Sequence, residues 1–250
     1  MNELPAEGPP RFEIRVLPDP PEAARAAALE LADAASDAVS DRGIFRLALS
    51  GGSTPRNLYE TLVKPPFSRR IDWVKARVFF VDERCVPPGH ERSNYRLAKK
   101  HLLDPARISR RNVFRMRGEE DPRRAARDYE RVLRSEFGPG LPRFDFVLLG
   151  LGADGHTASL FPRTRALDEK TKWATANYLP IPKEWRLTLT LPVVNAARRV
   201  IFLVAGERKR AAVAAVVARK RGSRSLPASL VRPKGGSLIW IIDQAAASGL

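Results

Sequence analysis

The chain has 250 residues, of which 44% are hydrophobic and 29% charged, and it carries a formal net charge of +16 at pH 7. This length and composition are typical of a globular protein with one large domain. A single cysteine excludes an internal disulfide framework, and three widely separated histidines give no Cys/His zinc spacing, so we expect a cytoplasmic, metal-free protein.

The predicted elements alternate between strand and helix. In chain order they are strand 12–17, helix 21–41 ended by Gly43, strand 45–50, helix 54–63, strand 76–82, helices 93–103 and 121–137, strands 144–150, 187–191 and 200–205, helix 207–221 and strand 238–243. Strands separated by helices predict right-handed βαβ units and a parallel, doubly wound (Rossmann-like) α/β sheet. We expect one domain over residues 11–250, preceded by a flexible N-terminus at 1–10.

The net charge of +16 raises the question of what the protein binds. Its arginines are spread along the chain and mostly alternate with apolar residues, as on solvated helix faces, so we predict no nucleic-acid partner. No apolar run approaches the roughly 20 residues of a membrane span, and residues 1–10 lack the features of a signal peptide, so we expect no membrane partner. A small anion remains as the predicted ligand, bound by a monomer, with a dimer as the alternative.

Ligands of doubly wound sheets bind beyond the carboxyl ends of the strands, which directs attention to four loops. The first has the sequence Ser50-Gly51-Gly52-Ser53-Thr54. Its glycines let the backbone approach a ligand, and the helix that follows offers unpaired N–H groups to an anion. The pattern predicts a phosphate site without the lysine of a Walker A motif; an ordinary capped turn is the alternative.

The second loop begins with Asp82-Glu83-Arg84-Cys85, directly after a buried strand. A carboxylate and a guanidinium at this edge could transfer a proton or hold an oxyanion; the alternative is a surface ion-pair turn. Cys85 has no histidine near it in the sequence, and we interpret it as a packed side chain rather than a nucleophile.

The third loop contains Asp154 and His156 on either side of a glycine. A carboxylate can fix the tautomer of an imidazole, which then moves a proton near neutral pH, so we predict that His156 is functional. His90 is interpreted as a residue of a polar loop and His101 as a residue of a solvated helix face.

Residues 150–155 of the same loop also match the dinucleotide pattern G-x-G-x-x-G. That pattern normally lies in the first βα turn and opens a long helix, whereas here several elements precede it and Pro162 soon interrupts. We therefore do not predict a dinucleotide cofactor.

The fourth group is cationic. Arg186 precedes a predicted strand, and Lys209 lies in the first turn of a predicted helix, where a lysine opposes the helix dipole. Binding an anion would explain a lysine at this position. The alternative is a lysine that is simply exposed to solvent.

Together these segments resemble the 6-phosphogluconolactonases in order and spacing. The matching segments are LSGGSTP (49–55), VDERCVP (81–87), SNYR (93–96), GLGADGHTASLFP (150–162), RLTLT (186–190) and VAGERK (204–209). The DGHTASLFP stretch is the most specific, whereas SGGSTP is shared with related glucosamine-6-phosphate deaminases and isomerases. The resemblance implies a three-layer α/β/α sandwich and a cytoplasmic, cofactor-independent enzyme of the oxidative pentose phosphate pathway, which hydrolyses 6-phospho-D-glucono-1,5-lactone to 6-phospho-D-gluconate.

The resemblance also implies roles for the loop residues. His156 would be the general base for water, oriented by Asp154, while Arg84 would stabilise the oxyanion or bind sugar hydroxyls and Asp82 would lie beside the substrate. The phosphate would bind at the loop with Gly51, Gly52 and Ser53, neutralised by Arg186 and Lys209. The family usually has alanine after this lysine; here Arg210 follows, and we expect it to be solvated.

Three alternatives stay open. An amino-sugar-phosphate isomerase or deaminase would need an acidic residue soon after His156, where this chain has Thr157 to Phe161. A sugar-phosphate sensor would not need the Asp154/His156 pair, and no helix-turn-helix precedes the predicted sheet. A dehydrogenase would bind NAD(P).

Overall fold

A computed structural model of the chain describes residues 12–217 and 226–250. The predicted flexible segment 1–10 and the last residues of the predicted helix 207–221 lie outside this part. None of the helices in the described part is long and apolar enough to cross a bilayer.

The strands form two sheets. Their bounds are β1 (Phe12–Leu17), β2 (Phe45–Leu49), β3 (Ala76–Phe80), β4 (Asp82–Arg84), β5 (Phe146–Leu149), β6 (Ala174–Leu179), β7 (Glu184–Leu189), β8 (Arg199–Val204) and β9 (Ser237–Asp243). The larger sheet has the order β1-β9-β8-β5-β2-β3, and every neighbouring pair in it is parallel. The predicted parallel sheet is therefore confirmed.

The helices are α1 (Pro20–Arg42), α2 (Ser53–Leu62), α3 (Asn94–Ala98), α4 (Pro122–Phe137), α5 (Leu191–Val194), α6 (Arg210–Val217) and α7 (Gln244–Ala247). Helix α1 ends at Gly43, as predicted, because glycine readily adopts the left-handed conformation (φ 69°) that closes the last turn. The predicted helix 93–103 is α3 followed by a π-helical segment, Lys99–Leu103. The predicted helix from residue 207 begins instead with a 3₁₀ turn, Glu207–Lys209, and α6 starts at Arg210.

The larger sheet separates two apolar cores. In β2, Leu47 and Leu49 pack with residues of α1, α2 and α3 in one core. The residue between them, Ala48, packs in the other core with residues of α4, α6 and α7. Because side chains alternate across a strand, a strand with helices on both faces is apolar throughout, and the result is a three-layer α/β/α sandwich.

The smaller sheet corrects one predicted element. The predicted strand 76–82 ends at Phe80 as β3, and Asp82–Arg84 form a separate strand, β4, in an antiparallel sheet of order β4-β7-β6. Strand β6 was not predicted, because its sequence, ATANYL, alternates only weakly between apolar and polar residues. The Pro-rich stretch 180–182 lies in the turn between β6 and β7, with Ile181 90% exposed.

Val81 connects the two sheets. Its N–H donates a hydrogen bond to the carbonyl of Leu49 in the larger sheet (2.9 Å), and its carbonyl accepts one from the N–H of Leu189 in the smaller sheet (2.7 Å). The carboxyl ends of β2, β3, β5 and β8 lie at the same edge because these strands are parallel. The smaller sheet therefore starts where the four predicted loops meet.

Candidate active site

A cavity of about 170 Å³ lies at this edge. It is lined by Ser50, Gly51, Asp82, Arg84, Asn94, Gly150, Leu151, Gly152, His156, Ala158 and Lys209. Residues from all four predicted loops therefore meet at one place. Other predicted site residues lie outside this lining: Gly52, Ser53, Thr54, Asp154 and Arg186.

Asp154 and His156 form a close pair. The Nδ1 atom of His156 lies 2.5 Å from Oδ1 of Asp154, and the same carboxylate oxygen accepts the His156 backbone N–H at 3.2 Å. Partial burial would raise the pKa of Asp154, but the charge of His156 and its hydrogen bonds outweigh burial and lower it. An ionised carboxylate accepts a hydrogen bond from Nδ1–H, so this contact selects the tautomer with a free lone pair on Nε2.

The imidazole of His156 is held from two further directions. The ring of Phe161 stacks on it, with centroids 4.0 Å apart and an interplanar angle of 21°. The His156 carbonyl accepts a hydrogen bond from the N–H of Gly152 (2.8 Å), and the hydroxyl of Thr157 donates to the carbonyl of Gly150 (2.9 Å). The loop therefore folds back on itself and fixes the position of the ring.

Asp82 is buried, and side chains hold both of its carboxylate oxygens. Its Oδ1 accepts a hydrogen bond from Nδ2 of Asn94 (3.0 Å), and its Oδ2 accepts one from Oγ of Ser159 (2.7 Å). Asn94 was not predicted as a site residue. Its only signal in the sequence was its place in the SNYR segment, because a contact between residues twelve positions apart cannot be read from local pattern.

Glu83 holds the start of α3 instead of facing the cavity. It lies 3% exposed, and its carboxylate accepts hydrogen bonds from the backbone N–H groups of Asn94 (2.7 Å) and Tyr95 (2.9 Å) at the start of α3. Burial raises its pKa, against the opposing effect of these N–H groups. Since neighbouring residues of a strand face opposite ways, Asp82 and Arg84 share the cavity side and Glu83 does not.

Two arginines face each other across the smaller sheet. Arg84 on β4 pairs directly with Arg186 on β7 in the antiparallel register. Burial lowers the pKa of Arg186 and the nearby charge of Arg84 lowers it further, whereas the carboxylates of Glu184 and Asp82 act in the opposite direction. Like charges directly opposite on neighbouring strands are destabilising; Glu184 offsets part of this effect by pairing with Arg186, and a bound anion would offset more of it.

Three buried polar atoms near this edge have no hydrogen-bond partner among the described residues: Ser50 Oγ, Arg84 Nε and Arg186 Nε. A buried polar atom without a partner costs about 1–3 kcal/mol. A bound ligand with several oxygen atoms would give these atoms partners.

Lys209 is half-buried at the cavity, while Arg210 beside it is exposed, as predicted. Burial lowers the pKa of Lys209, and the negative charge of Asp154 acts in the opposite direction. Lys209 therefore belongs to the same charged group as the Asp154/His156 pair.

The glycine-rich loop leads into α2 without a side-chain cap. The N-cap residue of α2 is Gly52, whereas side chains of Asp19 and Asp121 accept backbone hydrogen bonds at the starts of α1 and α4. The first N–H groups of α2 therefore have no side-chain acceptor in the described part, which suits an anion.

Three residues outside the cavity were also interpreted from the sequence: Cys85, His90 and His101. His90 is exposed in a loop, as predicted. Cys85 packs against the apolar core, and burial raises the pKa of its thiol to about 12, as expected for a packed side chain. The interpretation of His101 as solvated is wrong: its side chain is 12% exposed, and its Nδ1 lies 2.9 Å from Oε1 of Glu60 on α2.

The described residues contain no group of three or more His, Cys, Asp or Glu side chains arranged to hold a metal ion. The groups in and beside the cavity are the His156/Asp154 pair, the carboxylate of Asp82, and the cations Arg84, Arg186 and Lys209. This set can activate water and hold an anionic substrate.

Comparisons with known proteins agree on one family. The sequence profile described as glucosamine-6-phosphate isomerases/6-phosphogluconolactonase matches residues 18–240. The chain is 37% identical over 235 residues to probable 6-phosphogluconolactonase 1 of Arabidopsis thaliana, with 88% of this chain and 87% of that protein covered. It is 41% identical over 217 residues to the 6-phosphogluconolactonase of a Synechocystis strain, with 85% and 88% covered.

The fold is similar to solved structures as well. The 6-phosphogluconolactonase from Trypanosoma brucei superimposes with a TM-score of 0.85 at 30% identity, covering 97% of this chain and 100% of that one. Matches of this extent in both sequence and structure include all the loops that form the cavity. The chain belongs to the glucosamine-6-phosphate isomerase/6-phosphogluconolactonase family.

Proposed function

We propose that the protein is a 6-phosphogluconolactonase, which hydrolyses 6-phospho-D-glucono-1,5-lactone to 6-phospho-D-gluconate in the pentose phosphate pathway. The observation that carries this proposal is the 2.5 Å contact between Asp154 and His156 beside a cavity lined by Arg84 and Lys209. The base can activate water for attack on the lactone, which is a neutral ester. The cations can bind the phosphate group of the same substrate. The curated relatives named above carry the same activity in their names.

His156 acts as the general base in this mechanism. Its Nε2 takes a proton from water while the water oxygen bonds to the lactone carbonyl carbon, and the carbonyl electron pair moves to the oxygen. When the tetrahedral intermediate collapses, the bond from this carbon to the ring oxygen breaks, and His156 returns the proton to the ring oxygen. Asp154 stabilises the imidazolium that exists between these two transfers.

The cations hold the phosphate away from the reacting carbon. We assign the phosphate to the start of α2, at Gly51, Gly52 and Ser53, together with Arg186 and Lys209, and we add Arg84 because it faces Arg186 across the smaller sheet. Guanidinium groups bind phosphate oxygens with two parallel hydrogen bonds. An anchored phosphate turns the encounter of carbonyl and base into an intramolecular one.

Asp82 is assigned a position beside the substrate rather than the role of base. Its two oxygens already accept hydrogen bonds from Asn94 and Ser159, so it is held in place and can accept from a sugar hydroxyl. In the amino-sugar-phosphate alternative, an acid would follow His156 closely. Here the residues that follow have other contacts: Thr157 bonds to Gly150, and Phe161 stacks on the imidazole.

The test is a coupled assay in which 6-phosphogluconolactone is generated in situ and excess 6-phosphogluconate dehydrogenase reports the product as NADPH. Wild type, His156→Ala and an enzyme-free control are compared, because the lactone also hydrolyses spontaneously. We expect acceleration by wild type that is lost in a folded His156→Ala protein. Acceleration that survives in this variant would move the chemistry to Asp82. No acceleration by folded wild type, with ammonia release from glucosamine 6-phosphate, would favour the deaminase.

A further inference from the structure

A second concavity lies beside β6, at the edge of the smaller sheet opposite β4. Its volume is about 770 Å³, against about 170 Å³ for the cavity beside His156, and the two share no lining residue. One wall is a face of α4, the other is β6, and residues 163–169 close one end. The small side chains of Ala126, Ala174 and Ala176 contribute to its lining, which leaves room for a ligand. We call it the α4–β6 groove.

Arginines dominate the charge of the α4–β6 groove. Arg123 and Arg127 line it from α4, and Arg163 and Arg165 line it from the closing segment. Among the described residues, none of these four has a carboxylate within salt-bridge distance. Arg123 lies over the ring of Trp185, with its guanidinium carbon 5.5 Å from the ring centroid.

The two carboxylates in the groove do not neutralise these arginines. Oε1 of Glu130 is bound by Arg134 (2.7 Å), and Oε1 of Glu169 accepts the backbone N–H groups of Thr171 (2.9 Å) and Lys172 (3.0 Å). The backbone hydrogen bond from Lys172 has the largest effect on Glu169, followed by that from Thr171, and together they lower the pKa of its carboxyl to about 2. Both carboxylates therefore already have donors of their own.

The arginines of α4 differ according to the face that they occupy. Away from the groove, Arg124 and Arg131 both pair with Asp128 (3.7 and 2.5 Å). Arg123 and Arg127, which line the groove, are four residues apart, a spacing at which like charges destabilise a helix. The helix thus concentrates its unpaired positive charge where there is space for an anion.

We propose that the α4–β6 groove is a second ligand site, which binds a small anion carrying two phosphate groups. One phosphate lies between Arg123 and Arg127 on the helix, and the other lies at Arg163 and Arg165 on the closing segment. Guanidinium groups match phosphate oxygens in geometry as well as in charge. The volume falls in the range of roughly 300–1,000 Å³ that is usual for small-molecule sites.

The test is isothermal titration of the full chain with inorganic pyrophosphate, and with orthophosphate at the same ionic strength. We expect pyrophosphate to bind at least tenfold more tightly than orthophosphate. The double variant Arg127→Gln/Arg165→Gln should weaken pyrophosphate binding at least tenfold. The matched double variant Arg124→Gln/Arg131→Gln removes the same charge outside the groove and should change it less than twofold.

Lys209→Gln separates this site from the cavity beside His156. We expect it to leave the groove affinity unchanged, and because the readout is binding, the result does not depend on lactonase activity. Three outcomes would overturn the proposal: equal weakening in both double variants, loss of binding in Lys209→Gln instead of the groove variant, or equal affinity for the two anions. Circular dichroism verifies folding, and Arg127→Gln alone replaces the double variant if that one is unfolded.

Discussion

Gly152 lies so close to His156 that a Cβ atom on it would be 2.0 Å from Nδ1 of the imidazole and 2.6 Å from Oδ1 of Asp154. Gly152→Ala must therefore displace the ring or its carboxylate partner. We expect activity to fall by about 10²- to 10⁴-fold, which is the usual contribution of a general base. The coupled lactone assay on folded protein measures this.

The chain provides a matched control for this variant. A Cβ on Gly150, two residues earlier in the same loop, meets no atom within 4 Å. Gly150→Ala should therefore leave the contact between Asp154 and His156 intact, and we expect it to lower activity at least tenfold less than Gly152→Ala does. Similar losses in both variants would mean that the loop tolerates no substitution. The loss in Gly152→Ala could then not be attributed to its contact with His156.

The second prediction concerns the tautomer of His156. Asp154→Asn keeps the size of the side chain but replaces the carboxylate by an amide, which can present its N–H₂ group to Nδ1 and so favour the wrong tautomer. We expect kcat to fall at least tenfold and KM to change little, because the contact acts on the proton transfer and not on substrate binding. An unchanged kcat with a raised KM would instead make Asp154 a substrate ligand.

Lys209 is expected to affect substrate binding, whereas His156 affects proton transfer. Lys209→Gln removes a charge from the cavity, and a charge-assisted hydrogen bond contributes about 1.5–3 kcal/mol. If Lys209 holds the phosphate in ground and transition state alike, KM rises about ten- to a hundredfold and kcat stays the same. Exposed Arg210→Gln, the neighbouring position, is the control. A fall in kcat at constant KM would place Lys209 at the developing oxyanion instead.

The fourth prediction follows from the pKa of Cys85, which burial raises to about 12. At pH 8 an ordinary thiol with a pKa of about 8.5 is partly thiolate, whereas Cys85 stays protonated, so iodoacetamide should modify it at least a hundredfold more slowly than glutathione. The rate should rise as the pH approaches 12. Since the unfolded thiol ionises first, this group also favours unfolding as the pH rises above about 8.5. Rapid alkylation at pH 8 would show that the thiol is not buried.

The larger sheet and its loops could be predicted because their signals are local. Apolar runs such as that of β3, and the end of α1 at Gly43, depend on residues close together in the chain. Parallel pairing then places the ends of the strands at one edge without further information.

The smaller sheet could not be predicted in the same way. Strand β4 has three charged residues, and its partner β7 is about a hundred positions away, so nothing local indicates that Arg84 faces Arg186. The burial of Glu83 depends likewise on the backbone of α3. His101 shows the same limit, since its carboxylate partner belongs to another helix.

Val81 is the residue at which the proposed site passes from one sheet to the other. Asp82, Arg84 and Arg186 belong to the smaller sheet, whereas His156 and Lys209 follow strands of the larger sheet. A small rotation of one sheet against the other would therefore change the distance of Arg84 and Arg186 from the base, while Lys209 would keep its distance from the base. The hydrogen bond from Ser159 to Asp82 spans this boundary, so it limits how far the two halves can separate.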